Sequence, residues 1–221
     1  MIETFNVEQG SEEWFRIRMG IPTASEFGTV LAKGKKGEES KTRRTYMLKL
    51  AGEIITGEPM DSYSNAHMER GKLMEDEARS LYVFKTDAEL TRVGFVKADT
   101  GLLKAGCSPD SLIDDQGACE IKTKLAHLHI DCLLRDEFPP EHKAQCQGTL
   151  LVTGRGWIDL VVYWPGLPLF VKRARRDEPY LKDLSAAICK FNDELADVVE
   201  RVRRYGVPTL KPDLKASVAA A

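Results

Sequence analysis

The residues whose types and spacing could do chemistry lie mid-chain: Ser108-Pro109-Asp110, then nine residues, then Glu120-Ile121-Lys122. If Asp110 ends one strand at a turn and Glu120 lies on the strand that returns, their carboxylates meet at one end of a sheet. Side chains i and i+2 of a strand share a face, so Glu120 and Lys122 project together while Ile121 enters the core. Two carboxylates with a backbone carbonyl make a hard-oxygen site suited to Mg²⁺, which keeps several waters and takes few protein ligands. Such an ion polarises a phosphoryl oxygen and lowers the pKa of a water, and a second ion stabilises the leaving oxygen. The lysine can orient that water or help deprotonate it. An exposed hairpin with a cross-strand ion pair would produce the same letters.

Two further residues bear on the choice. Glu75 shares a helix face with Ala78 and Tyr82, an awkward place for an exposed carboxylate and a good one for a third acidic member. Its alternative is a boundary glutamate paired to Arg79 or Lys72. Gln145 falls on the helix after the Glu-x-Lys strand, where its amide could bind a phosphate or a ligand water. Alone it would read as a surface glutamine.

The elements that must position these groups follow from period and punctuation. Helices are predicted over 12–19, 25–32 with Thr23 as N-cap, 41–56 with Tyr46, Leu50 and Ile54 inward, and 65–84 with Met74, Ala78, Leu81 and Tyr82 buried. Short strand-like runs occupy 88–96, 102–107, 111–114 and 118–122, separated by Asp, Gly and Pro. A helix over 141–152, strands over 158–164 and 169–175, and a helix over 181–205 complete the pattern. The last has Ile188, Phe191, Leu195, Val198 and Val202 facing inward, and Gly206 and Pro208 stop it. Helices on both sides of a mixed central sheet define an α/β or α+β class. We expect one domain over 1–208, a mobile loop at 34–40 and a fraying tail at 209–221.

Composition bounds the partners. With 43% hydrophobic and 30% charged residues the chain is an ordinary globular protein, and its apolar runs are too short to span a membrane. Its start has no basic segment leading into an apolar one, so no secretory signal is expected. Five cysteines without a CxxC pair argue against a zinc ribbon or a disulfide framework and fit a reducing cytoplasm. With 32 basic and 34 acidic residues the net charge is −2, so affinity for nucleic acid would have to come from local patches. Two basic stretches exist: 33–49, with seven Lys or Arg against two Glu, and Lys172-Arg-Ala-Arg-Arg176. A solvated face is the plainer reading of either.

Taken in order, these blocks carry a resemblance: Val7-Glu-Gln-Gly-Ser-Glu-Glu-Trp14, Arg18-x-Gly20 with Thr23-Ala-Ser25, Gly71-Lys-x-x-Glu75-x-x-Ala-Arg79, Cys107-Ser-Pro-Asp110, Glu120-x-Lys122 and Ala144-Gln-x-Gln147. Over residues 7 to 165 the chain resembles the phage lambda exonuclease family, viral alkaline-exonuclease-like recombinases with a restriction-endonuclease-like PD-(D/E)xK core. That resemblance implies a Mg²⁺-dependent 5′-to-3′ exonuclease on double-stranded DNA ends, leaving 3′ overhangs for single-strand annealing. It further implies Asp110, Glu120 and the Ile121 carbonyl as ligands of two Mg²⁺ ions, with Mn²⁺ as a substitute. Lys122 would activate the water, and Glu75 and Gln145 would complete the site. Arg18, Ser25 and Ser108 would receive the DNA 5′-phosphate, and Met68 would wedge the strands apart. A ring-shaped homotrimer, a single-strand annealing partner and a phage or prophage product in the host cytoplasm follow from the same likeness. Two departures stand out. Thr123-Lys124 replaces the family's proline, and Leu128 occupies the place of a basic residue, with Lys124, His127 and His129 nearby. A structure-specific or restriction-type endonuclease on the same core, or a non-catalytic DNA-binding module, are the rival expectations.

Overall fold

The computed structural model describes residues 1–34, 38, 40–60 and 66–206, and for 66–72 the backbone alone. Most of the expected 34–40 loop and all of the 209–221 tail lie outside the described residues. The chain opens with β1 (Ile2–Phe5), α1 (Glu12–Arg18), a 3-10 turn (Ala24–Glu26), α2 (Phe27–Leu31), α3 (Lys41–Thr56) and α4 (Ala66–Thr86). Five strands follow: β2 (Leu90–Thr91), β3 (Phe95–Asp99), β4 (Lys104–Cys107), β5 (Ser111–Ile113) and β6 (Gly117–Thr123). Next come α5 (Ala126–Arg135), a 3-10 turn (Pro140–His142), α6 (Lys143–Thr153), β7 (Trp157–Tyr163), β8 (Phe170–Arg175) and α7 (Glu178–Arg203).

The strands form two sheets rather than one. An antiparallel sheet of order β1-β3-β4 stands beside a five-stranded sheet of order β2-β5-β6-β7-β8, mixed because β6 and β7 run parallel. The class is α+β. Alternation along β6 and β7 sorts their residues between two cores. Ala118, Leu160 and Val162 pack with α2, α3, α6 and α7, whereas Cys119, Ile121, Val161 and Tyr163 pack with Met74, Ala78 and Tyr82 of α4. Glu120 and Lys122 therefore share the face that α6 covers.

Capping explains several boundaries. Ser11 accepts from the Trp14 N–H at the start of α1, and Ser40 accepts from the Arg43 N–H at the start of α3. Gly57 ends α3 at φ 73°, a left-handed position that a glycine takes without steric cost. Thr23 departs from expectation. It precedes the 3-10 turn without a side-chain cap bond, and its hydroxyl lies instead 3.2 Å from that of Ser25. Leu81 and Val202, expected inward, are 40% and 51% exposed: Leu81 falls just past the edge of the buried stripe of α4, and Val202 lies in the last turn of α7, beyond its last buried residue, Val199.

Two contacts fix the helices that flank the chemistry. The Tyr82 hydroxyl of α4 donates to the buried Asp159 of β7 at 2.7 Å, and Arg173 of β8 donates to both Asp159 oxygens at 2.8 Å. The Arg173 guanidinium also stacks on Trp157, 3.5 Å from the ring centroid. Asp159 is thereby a buried charge with its partners in place, the condition under which burial is tolerated. On α6, Gly148 meets the ring of Phe27 so closely that a Cβ there would lie 2.2 Å from a ring carbon.

Gly148→Ala tests that fit. Alanine gains about 1 kcal/mol of helix propensity, but Phe27 is fully buried and cannot yield, and overpacking a core costs roughly 1–3 kcal/mol. The net should be a lower urea midpoint with an unchanged denaturant slope.

Candidate active site

β5 and β6 pair from Ile113↔Gly117 to Ser111↔Cys119, and the pairing stops there. Beyond it the edge of β6 has no strand beside it among the described residues, and Asp110 fills the gap with its side chain. Its Oδ2 accepts the Ile121 N–H at 2.5 Å. In a strand the N–H and C=O of one residue point to the same side, so the Ile121 carbonyl faces this open edge too. Asp110 is held from behind by Arg79 of α4, which donates to the Asp110 carbonyl at 3.3 Å and to the Ser111 hydroxyl at 3.2 Å. Asp76 in turn binds Arg79 at 2.5 Å and Arg92 at 2.7 Å.

Glu120 is 3% exposed. Its Oε1 accepts from Lys122 Nζ at 2.8 Å and from Gln145 Nε2 at 2.5 Å, while its Oε2 is buried with no hydrogen-bond partner among the described residues. An orphaned carboxylate oxygen is costly, and here it sits beside a second carboxylate. Burial first, then the charges of Glu120 and Glu75, push Asp110 well above the usual carboxylate range. Glu75, half-buried on α4, is raised mainly by burial, with Arg79 and Lys122 opposing. Burial would lower Lys122, but the charge and hydrogen bond of Glu120 prevail and hold it above an ordinary lysine.

This donor set fits a divalent cation. A cation between Asp110 and Glu120 would satisfy Oε2 and cancel the repulsion that raises Asp110. Among the described residues no three His, Cys, Asp or Glu side chains form a ready-made metal cage. Glu75 shares a cavity of about 440 Å³ with Asp110, Arg79 and Arg92, and Gln145 does not line it.

A smaller cavity, about 160 Å³, opens on the Gln145 side and brings together Arg18, Ser25 and Ser108 with Trp14, Thr23 and Thr149. Arg18 lies over the Trp14 ring at 4.2 Å from its centroid and donates to the Thr23 hydroxyl at 3.4 Å. The Trp14 indole N–H donates to Ser108 Oγ at 2.9 Å and to the Gly94 carbonyl at 3.0 Å. Arg18 is the one charged side chain lining this space among the described residues.

None of the candidates near Leu128 joins it. Lys124 is bound to Glu141 at 2.6 Å, His129 is fully buried and pushed down by burial, and His127 is exposed on α5. Met68 lies on α4, with its side chain outside the described residues. The basic run 172–176 is largely spent inside the molecule: Lys172 pairs with Asp136, Arg173 with Asp159 and Arg176 with Glu178. Sequence reasoning gave no role to Trp14, made Thr23 only a helix cap and Arg79 only an alternative partner of Glu75, although each lies in a block quoted above.

The YqaJ-like viral recombinase domain matches residues 13–156, a stretch that contains Arg18, Ser25, Glu75, Ser108, Asp110, Glu120, Lys122 and Gln145. The chain belongs to this family. It is similar in structure to an alkaline exonuclease from Laribacter hongkongensis, with 32% identity, a TM-score of 0.78, and coverage of 88% of this chain and 97% of that one. The same exonuclease in complex with dAMP matches at 33% identity and the same TM-score. A phage-related exonuclease from Haemophilus somnus 129PT shares the fold at 12% identity and a TM-score of 0.53, over 80% of this chain and 96% of that one. No curated protein matches the chain. Among the described residues no helix is long and apolar enough to cross a membrane.

The carboxylate repulsion makes a prediction about stability. Unfolded aspartate titrates near roughly 3.9, and folded Asp110 well above that, so between the two values the folded state binds more protons. Stability of the metal-free protein should therefore fall as pH rises through that window. Mg²⁺ should restore it at neutral pH, and Asp110→Asn should both flatten the profile and abolish the Mg²⁺ effect. Thermal melts at several pH values, with Mg²⁺ and with EDTA, check both.

Proposed function

We propose that the chain is a Mg²⁺-dependent nuclease that degrades the 5′-ended strand of double-stranded DNA from its ends and leaves 3′ overhangs for phage-type recombination. One observation carries the reading. A carboxylate pair, Glu120 buried with an orphaned oxygen and Asp110 partly buried, sits with an adjoining lysine beside a cavity of about 160 Å³ lined by an arginine and two serines. The neighbouring structures, named as exonucleases, support the class of reaction.

Asp110, Glu120 and the Ile121 carbonyl would hold the ion, with Glu75 toward a second one. Bound there, Mg²⁺ or Mn²⁺ supplies positive charge to the phosphoryl oxygens and acidifies the attacking water. The rest falls to the protein. Lys122, an ammonium while it faces Glu120, orients the nucleophile; once the charge of Glu120 is engaged elsewhere it can release its proton to solvent and, as the neutral amine, take one from the nucleophile. Gln145 fixes the Glu120 oxygen that Lys122 shares. Arg18 meets a terminal phosphate with a fork of donors, and the serines add hydroxyls. A 5′-end held in the small cavity sets how far the scissile bond lies from the carboxylates.

At a net charge of −2 per subunit, attraction alone cannot retain a polyanion through many cycles. A closed ring of three subunits would supply retention by topology, with cationic residues of the 33–49 stretch such as Lys33 and Lys41, both exposed, turned toward the DNA. A single-strand annealing protein would receive the 3′ strand.

Linear duplexes labelled at either end, beside a covalently closed circle, test the reading. The 5′-ended strand of the linear substrate should be lost and the circle left intact. Cutting of the circle would replace the proposal with an endonuclease. Lys122→Ala should cost about 10²- to 10⁴-fold in rate with DNA binding retained. A well-folded Glu120→Ala that cuts at wild-type speed would place the chemistry elsewhere. Light scattering should give the mass of three chains.

A further inference from the structure

The larger cavity beside the carboxylates holds two arginines in different states. Arg79 is largely buried and divides its donors among the Asp110 carbonyl, the Ser111 hydroxyl and Asp76. Arg92 has one partner among the described residues, the same Asp76 oxygen at 2.7 Å. The side chains of that pair are 64% and 62% exposed. An ion pair in that setting contributes little, so a phosphate can draw Arg92 away from it easily. Two guanidiniums on one carboxylate leave a positive charge at the rim of this cavity. The remaining charged groups that line it are Glu8, Glu75 and Asp110, and the proposed ion engages the last two.

The backbone that carries Arg92 is held fast. The Val93 carbonyl accepts from Gln9 Nε2 at 3.0 Å, and the Gly94 N–H donates to the Phe5 carbonyl at 2.9 Å. The Gly94 carbonyl accepts from the Trp14 indole at 3.0 Å. Gln9 and Trp14 each hold a second group: the Pro109 carbonyl at 3.2 Å and the Ser108 hydroxyl at 2.9 Å. Two side chains thus fasten the segment behind Arg92 to the residues just before Asp110. Ser108 lines the small cavity and Asp110 the large one. The separation between the small cavity and Arg92 is therefore set by bonded backbone.

We infer that Arg92 binds the backbone phosphate that follows the scissile one on the 5′-ended strand. This deepens the proposed function and rests on the small cavity as the 5′-end site. A strand with its end in the small cavity and its first linkage at the carboxylates continues past Asp110. The cavity that Asp110 lines offers it one arginine with donors to spare. A guanidinium fork matches two phosphate oxygens at once. Gripping the strand on both sides of the scissile bond fixes that bond relative to the carboxylates. The contact reads no base, so it is the same for every sequence that passes.

The experiment uses hairpin duplexes with a phosphorylated 5′ end and one neutral methylphosphonate linkage, at the first, second or fourth position from that end. Their affinity is measured by fluorescence anisotropy with Mg²⁺ in a Lys122→Ala background, so that bound DNA is not degraded. A neutral second linkage should weaken binding about tenfold, the worth of one hydrogen bond to a charged group. Arg92→Ala should weaken binding of the unmodified duplex by a similar factor and lower the salt slope by about one. It should then be indifferent to a neutral second linkage, while the effect of the fourth is the same with and without Arg92. Arg92→Gln, which keeps length and loses charge, should behave like Arg92→Ala, and thermal melts confirm that both variants fold. A neutral second linkage that weakens Arg92→Ala as much as the parent overturns this inference alone, as does coupling of Arg92 to the fourth linkage instead. Parent affinity unmoved by neutralising either of the first two linkages overturns the end-site reading and this inference with it.

Discussion

Asp110 and Glu120 repel one another across an edge that the main sheet leaves open, and most of the molecule is arranged to keep them there. The repulsion is possible because β5 stops pairing at Ser111 and an aspartate side chain takes the vacant bond of the Ile121 N–H. One hydrogen bond thus both ends a strand pair and delivers a carboxylate to its neighbour. Arg79 secures the same residue through its carbonyl, so the backbone cannot relax to separate the charges.

Around that pair the fold supplies two walls from different parts of the chain. α4 is fixed to β7 through Tyr82 and Asp159 and brings Glu75 and Arg79 to one side. α6 approaches from the other, and the absence of a side chain at Gly148 lets it close on the turn that carries Ser25. On α6, Gln145 reaches Glu120, while Gln147 binds the Arg175 carbonyl and the Asp177 N–H where β8 passes into α7. The site and the joint of the last two elements are therefore tied to the same turn of helix.

Much of this was legible in the residue pattern. α3 could be read because Tyr46, Leu50 and Ile54 keep a helical spacing, and the strand alternation that joins Glu120 to Lys122 needs only a period of two. β1 escaped notice because four residues with a weak alternation become a strand only by pairing with β3, far along the chain. α5 escaped because its buried face is made of His129 and Cys132, neither of which announces an apolar stripe. Arg79 and Trp14 act through backbone carbonyls and hydroxyls distant in sequence, and such links leave no spacing to read. A second sheet was invisible for a related reason: β4 and β5 are separated by three residues, yet they part into different sheets.

The ion pairs along β8 carry a consequence for how this surface meets a polyanion. Binding to DNA gains much of its free energy from small counterions that phosphates release when protein cations replace them. An arginine already matched to an internal carboxylate, as Arg173 is to Asp159, has a fixed partner and displaces few such ions. A stretch that looks strongly basic in sequence would then add little to the salt dependence of binding, and hold on a duplex would have to come from enclosure or from the terminal phosphate itself.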